Sequence, residues 1–282
     1  MKKFLKVFCV AMCVALLFVG CSNSSGGGSS SLIKSKYDFD GTPYTLFTQQ
    51  ERRIWYYDVY NIGNGQIQYN ASPTDIIIVE NGTVAVYDIP INGITYGEIA
   101  EKTDDEIVEY CKTKCQSDLE PISEADYEEL REYYNMYNIG DIIKTGESYS
   151  SYHPEYTRRE DSDVIEIKNE VPEKLSNVSF KINRDATGNE TVSERVDFRN
   201  FSYEYFMNTN YKFVGGIEPK NVLSFSIYSW TGEPQIIYST KFAVLYCNGG
   251  SDLKSDTLLS TKIDGEFRFD FDAPDTDFGI CK

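Results

Sequence analysis

Four aspartates lie close together near the end of the chain, at Asp270, Asp272, Asp275 and Asp277, around an Ala-Pro pair. Carboxylate oxygens are the ligands that Ca²⁺ prefers, so this stretch is a candidate calcium site, and calcium is the one cofactor that the sequence suggests. The spacing differs from that of an EF-hand loop, which has a central glycine and a distal glutamate. The alternative is that the aspartates form the solvated face of the last strand.

Trp230 belongs to the segment Ser-Trp-Thr-Gly-Glu-Pro, residues 229–234, which lies between two stretches with the pattern of strands. The turn residues around it predict that it lies on a loop. A loop tryptophan can anchor a sugar ring or a partner protein, because it combines a large apolar face with a hydrogen-bond donor. Trp230 is therefore the candidate binding residue. The alternative is a tryptophan folded back over the end of the sheet.

The sequence lacks the motifs of nucleophilic catalysis, and we assign no catalytic residue. Its single histidine, His153, stands in a Tyr-His-Pro context within a polar segment. There is neither a G-x-S-x-G motif nor an H-E-x-x-H motif. A pair of carboxylates could still hydrolyse a glycosidic bond, but the 44 acidic residues do not single out two of them.

Four cysteines lie beyond the first 21 residues: Cys111, Cys115, Cys247 and Cys281. We predict a disulfide between Cys247 and Cys281, because it would tie down a C-terminal segment that has little apolar surface. Cys111 and Cys115 lie one turn apart on a predicted helix, where a bridge between them would strain the backbone. Pairing of either with Cys247 or Cys281 stays open, since four cysteines allow three pairings.

The chain is strongly acidic, with 27 Lys and Arg against 44 Asp and Glu and a formal net charge of −17. Without residues 1–20, which hold three lysines and no acid, the net charge becomes −20. A surface of this sign repels nucleic acid and anionic lipid headgroups. We therefore exclude nucleic acid as a partner and expect cationic partners to be favoured.

The N-terminus combines Lys2, Lys3 and Lys6 with an unbroken apolar run over residues 7–19, followed by Gly20-Cys21. The run is shorter than the ~20 residues that a membrane-spanning helix requires. Residues 1–22 resemble the signal peptide of bacterial lipoproteins, in which small residues precede a cysteine at the cleavage site. Phe18 stands where that family favours leucine.

The resemblance implies that Cys21 becomes the first residue of the mature chain and carries the acyl chains, palmitate among them, that anchor it to a membrane. Because Ser22 rather than aspartate follows, it also implies transfer to the outer membrane in a bacterium that has one. Serine, glycine and asparagine make up almost all of the next residues, which indicates a flexible tether. We therefore predict a signal peptide over residues 1–20 and a tether over residues 21–31.

Residues 37–90 have the pattern of strands. The clearest signal is the pair Asp75–Glu80 and Thr83–Asp88 on either side of Asn81-Gly82, which is typical of a β-hairpin. Residues 53–60 predict another strand, with three apolar side chains on one face: Trp55, Tyr57 and Val59.

Helices are predicted next, by three capping motifs: Thr95-x-x-Glu98, Thr103-x-x-Glu106 and Ser123-x-x-Asp126. We expect these short helices to pack on the preceding sheet. The second would bury Ile107, Cys111 and Cys115. The third would end at Gly140 and bury Tyr127, Leu130, Tyr134 and Tyr137.

Residues 147–162 contain no aliphatic side chain and are interpreted as a linker or long loop. Beyond them apolar residues alternate with polar ones, which indicates strands with one buried and one solvated face. The alternating residues are 178, 180 and 182; 223, 225 and 227; 242, 244 and 246; and 267, 269 and 271. The predicted fold class is α+β, with a small antiparallel sheet and short helices over residues 32–146 and a mainly antiparallel β-sandwich over residues 163–282.

Together these features predict a lipid-anchored lipoprotein of the cell envelope. We expect a non-enzymatic binding or interaction module for an unidentified protein or glycan. The alternative is an envelope glycan hydrolase that uses paired carboxylates. A rigid cleft with two carboxylates about 5–10 Å apart would favour the hydrolase, and an exposed aromatic patch without such a pair would favour the binding module.

Overall fold

A computed structural model of the protein describes residues 39–59, 66–136, 165–167, 176–207, 213–230, 232–249 and 256–278. The predicted signal peptide, the tether, the 147–162 segment and the helix end at Gly140 lie outside the described residues. The described part of Ser35–Lys282 forms one unit.

The described residues form thirteen strands and four helices. The strands are β1 (Phe39–Gly41), β2 (Arg53–Asp58), β3 (Asp75–Glu80), β4 (Thr83–Asp88), β5 (Gln116–Leu119), β6 (Ile165–Ile167), β7 (Val178–Arg184), β8 (Thr191–Met207), β9 (Phe213–Trp230), β10 (Gln235–Ile237), β11 (Thr240–Gly249), β12 (Asp256–Ile263) and β13 (Phe267–Phe269). The helices are α1 (Pro43–Thr48), α2 (Tyr96–Glu101), α3 (Asp104–Lys114) and α4 (Glu124–Met136).

Eleven of these strands belong to one mostly antiparallel sheet, in the order β5-β4-β3-β2-β12-β11-β9-β8-β7, with β10 on β11 and β6 on β9. Strand β2 pairs with β12, with Tyr57 opposite Leu259. The two regions predicted as separate domains therefore share one sheet. Local patterns in the sequence could not show this, because the two paired strands lie about two hundred residues apart.

The sheet curls until its two ends approach each other. The amide of Ile122, just after β5, donates to Asn177 Oδ1, just before β7, at 2.9 Å. Asn200 Nδ2 on β8 donates to the Asp118 carbonyl on β5 at 3.3 Å. The curl encloses one apolar cluster, here called the inner core, whose largest fully buried side chains are Phe47, Trp55, Phe198 and Phe225.

Helix α1 corrects the prediction that residues 37–90 contain only strands. Pro43 occupies its first position, and the Thr42 amide donates to Thr45 Oγ1 at 2.8 Å. A proline at this position is a helix-start signal that the strand-like pattern around it obscured. Leu46 and Phe47 are fully buried in the inner core, so the short helix supplies part of that core.

Helices α2 and α3 cover the outer face of β2, β3 and β4, as predicted. The apolar cluster between these helices and the sheet, here called the outer core, includes Tyr56, Ile76 and Ile99. Both helices begin with the predicted reciprocal caps, at Thr95 and at Thr103.

The predicted inward face of α3 is largely confirmed, because Ile107 and Cys111 are fully buried while Cys115 is partly exposed. Helix α4 begins where predicted, with the Ser123 amide donating to Asp126 Oδ2 at 2.7 Å, and Leu130 is buried. None of the helices in the described parts of the chain combines the length and the apolarity that crossing a membrane requires.

The predicted hairpin is confirmed. Strands β3 and β4 pair with Glu80 opposite Thr83, and both turn residues have positive φ, 55° at Asn81 and 72° at Gly82. Turns of this kind follow the natural twist of the flanking strands. On β2, Trp55 and Tyr57 are buried in the inner core, as their spacing predicts.

Strand β11 is buried on both faces, which corrects the prediction that it has one solvated face. Phe242 lies in the outer core, whereas Ala243 and Leu245 lie in the inner core. Strand β11 lies between β12 and β9, where both faces of the sheet are covered. Alternate apolar side chains of β11 therefore point into the inner core and the outer core, and neither set faces solvent.

Strands β1 and β13 form a separate parallel pair, with Phe39 opposite Phe267 and Gly41 opposite Phe269. The Asp270 amide continues the contact by donating to the Gly41 carbonyl at 3.0 Å. The first described strand therefore starts beside Phe267.

Candidate functional site

An open cleft lies beside Trp230. This residue is the last of strand β9, and not part of a loop as predicted, and its side chain is 40 % exposed. Its register partner is Leu245 of the inner core, so Trp230 lies on the inner side of the sheet. The cleft has a volume of about 300 Å³ and is here called the Trp230 cleft.

The floor of the Trp230 cleft is continuous with the inner core. Ala243, Ile263 and Phe267 line the cleft and also belong to the inner core. Phe267 contacts Trp55, with ring centroids 6.3 Å apart. A ligand in the cleft would thus rest on the rigid centre of the fold, which favours a well-defined binding geometry.

The rim of the cleft carries charged side chains from two turns. Glu233 follows β9, and Glu266 and Arg268 lie at the start of β13. Arg268 Nη2 lies 3.3 Å from Glu266 Oε2, and their side chains are 67 % and 84 % exposed. Such an exposed ion pair contributes little to stability, so both groups can rearrange around a ligand at little cost.

The four C-terminal aspartates do not converge on a calcium site. Asp272 is buried, and its carboxylate accepts hydrogen bonds from Thr42 Oγ1 at 2.7 Å and from the Tyr44 amide at 3.1 Å. The other three, Asp270, Asp275 and Asp277, are exposed. Within the described ranges, no group of three or more His, Cys, Asp or Glu side chains could hold a metal ion. Asp272 instead fastens the C-terminal segment to the start of α1.

Aromatic packing also holds the C-terminal segment, which the sequence had suggested was poorly anchored. The Phe278 ring lies 5.4 Å from the Tyr44 ring and 5.3 Å from the Phe180 ring, measured between centroids. Thr191 Oγ1 donates to the Asp272 carbonyl at 2.7 Å. Noncovalent contacts therefore tie the described part of the segment to both α1 and the sheet.

The predicted disulfide between Cys247 and Cys281 stays a prediction, because Cys281 lies outside the described residues. Among the described residues Cys247 has no disulfide partner; it is fully buried in the inner core, and burial raises the pKa of its thiol. Cys111 and Cys115 also lack a disulfide partner there, and they are hydrogen bonded to each other on α3. Burial raises the pKa of both, which lowers their reactivity.

Glu194 is a buried carboxyl that the sequence reasoning missed. Its Oε1 accepts a hydrogen bond from the Asp272 amide, and its Oε2 has no partner among the described residues. Burial raises the pKa of Glu194 to about 8, and the neighbouring Asp272 carboxylate also acts to raise it. The signal was present, since Glu194, Val196 and Phe198 alternate along β8 and period two places them on one face.

Asp75, at the start of β3, is a second buried carboxyl. Burial, together with the nearby carboxylates of Asp88 and Asp118, raises its pKa to about 7. Asp88 is its register partner on β4. Neither Asp75 nor Glu194 lines the Trp230 cleft, so the carboxyls with raised pKa values lie away from it.

A second cavity, of about 400 Å³, has a polar lining that includes Lys102, Thr103, Lys262 and Asp264. Lys262 Nζ donates to the Lys102 carbonyl at 2.6 Å. Burial lowers the pKa of Lys262, although nearby carboxylates oppose this effect. Because its lysine is already engaged in a hydrogen bond, this cavity is the weaker candidate for a binding site.

Two further residues that the sequence singled out, Cys21 and His153, lie outside the described residues. The Trp230 cleft is therefore the described site that best combines solvent access, an aromatic side chain and polar groups.

In comparisons with known proteins, no family model, no curated protein and no solved structure matches the chain.

Proposed function

We propose that the protein is a lipid-anchored lipoprotein of the cell envelope that acts as a non-enzymatic binding module, with the Trp230 cleft as its recognition site. The observation that carries the proposal is the 40 % exposure of Trp230 in an open, apolar cleft. The other tryptophan, Trp55, is fully buried. A large aromatic side chain left open to solvent in a concave site is typical of recognition.

The path of the chain supports a cleft held near the membrane. Strand β1 begins at Phe39, whose register partner Phe267 lines the cleft. If Cys21 carries the lipid, residues 22–38 separate it from this strand, and a chain of that length can span at most roughly 60 Å. The anchor would then hold the cleft within reach of ligands in the same envelope.

The curled sheet, to which both halves of the chain contribute strands, supports a sandwich-like arrangement. Tyr57 on β2 stacks on Phe225 of β9 across the inner core, with ring centroids 5.3 Å apart. We propose that one layer comes from each half of the chain. Such folds host many functions, so the functional proposal rests on the cleft and not on the architecture.

The alternative is a glycan hydrolase, and one observation favours it: Glu233 and Glu266 both line the cleft. A glycosidase needs a carboxyl kept protonated by its surroundings. The Glu266 side chain is 84 % exposed, and the carboxyls with raised pKa values, Asp75, Asp118 and Glu194, do not line the cleft. The binding module is therefore better supported. Release of reducing sugar from envelope glycans by the wild type, abolished in Glu266→Gln, would favour the hydrolase instead.

The anchor is tested by Cys21→Ala in cells fed radiolabelled palmitate. We expect label in the wild type and none in the variant, and label retained in the variant would refute the anchor. In a bacterium with two membranes, the wild type should fractionate with the outer membrane. Recovery from the inner membrane would contradict the proposed location.

The recognition site is tested by co-sedimentation of the mature chain, made soluble by Cys21→Ser, with washed envelopes of the producing bacterium. Trp230→Ala should weaken binding by about 2 kcal/mol or more, roughly 30-fold, with the melting temperature nearly unchanged. The matched control is Ile236→Ala, because Ile236 is 64 % exposed but does not line the cleft. Unchanged binding with a large loss of stability in Trp230→Ala would place Trp230 in the core.

A further inference from the structure

We infer that the ligand of the Trp230 cleft is a saccharide, bound as one or two sugar rings of an uncharged glycan. This inference rests on the proposed binding function and narrows it to one chemical class. It draws on three properties of the cleft: its size, its apolar floor and the mixed charges of its rim.

The size and shape of the cleft favour a small ligand over a protein surface. Its volume of about 300 Å³ lies at the lower end of the range for small-molecule sites. Trp230 lines this cleft and lies on the same side of the sheet as its register partner Leu245. A group that packs on the part of the indole lining the cleft must therefore enter the cleft, and a cleft of this volume admits a small group.

The floor of the cleft suits the carbon face of a sugar ring. Trp230, Pro234 and Phe267 supply apolar surface. Of the two aromatic side chains, Trp230 is 40 % exposed and Phe267 is buried, so a ligand can stack on the indole. A pyranose ring presents C–H bonds on its faces and hydroxyl groups around its edge. Stacking on the indole therefore buries apolar surface while the hydroxyl groups stay at the rim, where polar partners are present.

The rim of the cleft suits hydroxyl groups better than it suits a charged ligand. Carboxylates accept hydrogen bonds and guanidinium groups donate them, so Glu233, Glu266 and Arg268 together can serve neighbouring hydroxyls that do both. An anionic ligand would face two carboxylates. A cationic ligand would compete with Arg268, which lies 3.3 Å from Glu266. A neutral polyol can use both members of the ion pair.

The test separates glycan from protein in the same envelope preparation. Washed envelopes are digested with proteinase K and extracted with organic solvent, which leaves their glycans. The mature chain with Cys21→Ser should bind the treated material as tightly as the untreated material, and Trp230→Ala should bind both about 30-fold more weakly. Ile236→Ala, changed at an exposed residue outside the cleft, should bind like the wild type.

A second measurement uses oligosaccharides released from the treated material by partial acid hydrolysis. The chain has two tryptophans, of which Trp55 is fully buried, so an accessible ligand should change the emission of Trp230 alone. The oligosaccharides should shift the fluorescence of the wild type and compete with the insoluble glycan. The shift should vanish in Trp230→Ala.

The outcomes separate this inference from the proposed function. Binding to untreated envelopes that disappears after proteinase K would refute a saccharide as the ligand and leave the proposed binding function intact. No binding to untreated envelopes would overturn both. If binding survives digestion, purified murein sacculi and water-soluble polysaccharide, assayed separately, show which glycan supplies the saccharide.

Discussion

Two regions at the border of the inner core meet solvent in opposite ways. One, here called the sealed region, comprises Thr42, Glu194, Asp272 and Phe278. Its polar groups are buried or directed at each other, with Asp272 accepting from Thr42 and donating its amide to Glu194. The other is the Trp230 cleft, where the Glu266 and Arg268 side chains are 84 % and 67 % exposed.

The comparison shows how one core can serve both stability and recognition. In the sealed region, the Asp272 carboxylate, the Asp272 amide and Glu194 Oε1 form hydrogen bonds within the fold, and these bonds hold the C-terminal segment in place. In the Trp230 cleft, the charged groups lie in solvent and add little to stability. Recognition is therefore expected where the fold leaves its polar groups accessible, and the following experiments test that division.

The largest expected difference is between the two tryptophans. Trp55 is fully buried against Phe47 and Phe267, so Trp55→Ala should lower the free energy of unfolding by about 3–5 kcal/mol. Trp230→Ala should lower it by less than about 1 kcal/mol, because Trp230 is 40 % exposed. Urea unfolding measures both. Equal losses would show that the cleft is as much part of the core as Trp55.

The predicted Cys247–Cys281 disulfide would add a covalent tie to the C-terminal segment. It closes a loop of about 35 residues, so Cys281→Ser should cost roughly 3–4 kcal/mol in the chain-entropy model, and nothing under reducing conditions. Non-reducing peptide mapping of protein from the envelope identifies the pair. A peptide joining Cys247 or Cys281 to Cys111 or Cys115 would contradict it.

Buried carboxyls should make stability fall as pH rises. The folded-state pKa of Glu194 is raised to about 8, so its contribution is complete below its unfolded pKa near 4.5 and is lost as pH approaches and passes 8. Between pH 5 and pH 8 the loss due to Glu194 should be about 3–4 kcal/mol, and it should be absent in Glu194→Gln. Urea unfolding at pH 5, 6, 7 and 8 measures it.

Asp75→Asn is the matched control for that pH series, because Asp75 lies outside the sealed region. Its folded-state pKa is raised to about 7 from the usual 3.8. The stability that protonated Asp75 contributes should therefore be nearly lost by pH 7, one pH unit below the point at which that of Glu194 is lost. Between pH 7 and pH 8, stability should therefore fall more steeply in Asp75→Asn than in Glu194→Gln. The same slope in all three proteins would show that neither carboxyl is protonated in the folded state.

The smallest expected effect concerns the aromatic part of the sealed region. Phe278→Ala removes ring contacts with Tyr44 and Phe180 and should lower the free energy of unfolding by about 1–2 kcal/mol. Asp275→Ala, at an exposed position nearby, should change it by less than about 0.5 kcal/mol. Limited proteolysis should release the C-terminal segment faster only in the first variant, and equal rates would show that Phe278 does not anchor it.

Local features of the fold could be predicted from short stretches of sequence. The Asn81-Gly82 turn, the caps at Thr95 and Thr103 and the inward face of β2 all appear where expected. Each depends on contacts within a few residues or on the period of one strand. Glu194 could have been identified in the same way, because it shares a strand face with Val196 and Phe198.

The sequence by itself determined the local geometry of turns, caps and strand faces, because these are set by side chains a few residues apart. Only the tertiary structure decided that β2 pairs with β12, that Asp272 binds the start of α1, and that Trp230 lies in a cleft lined by the start of β13. The physical reason is distance along the chain. These contacts join residues far apart in sequence, and their energies depend on a curled sheet that no single stretch encodes.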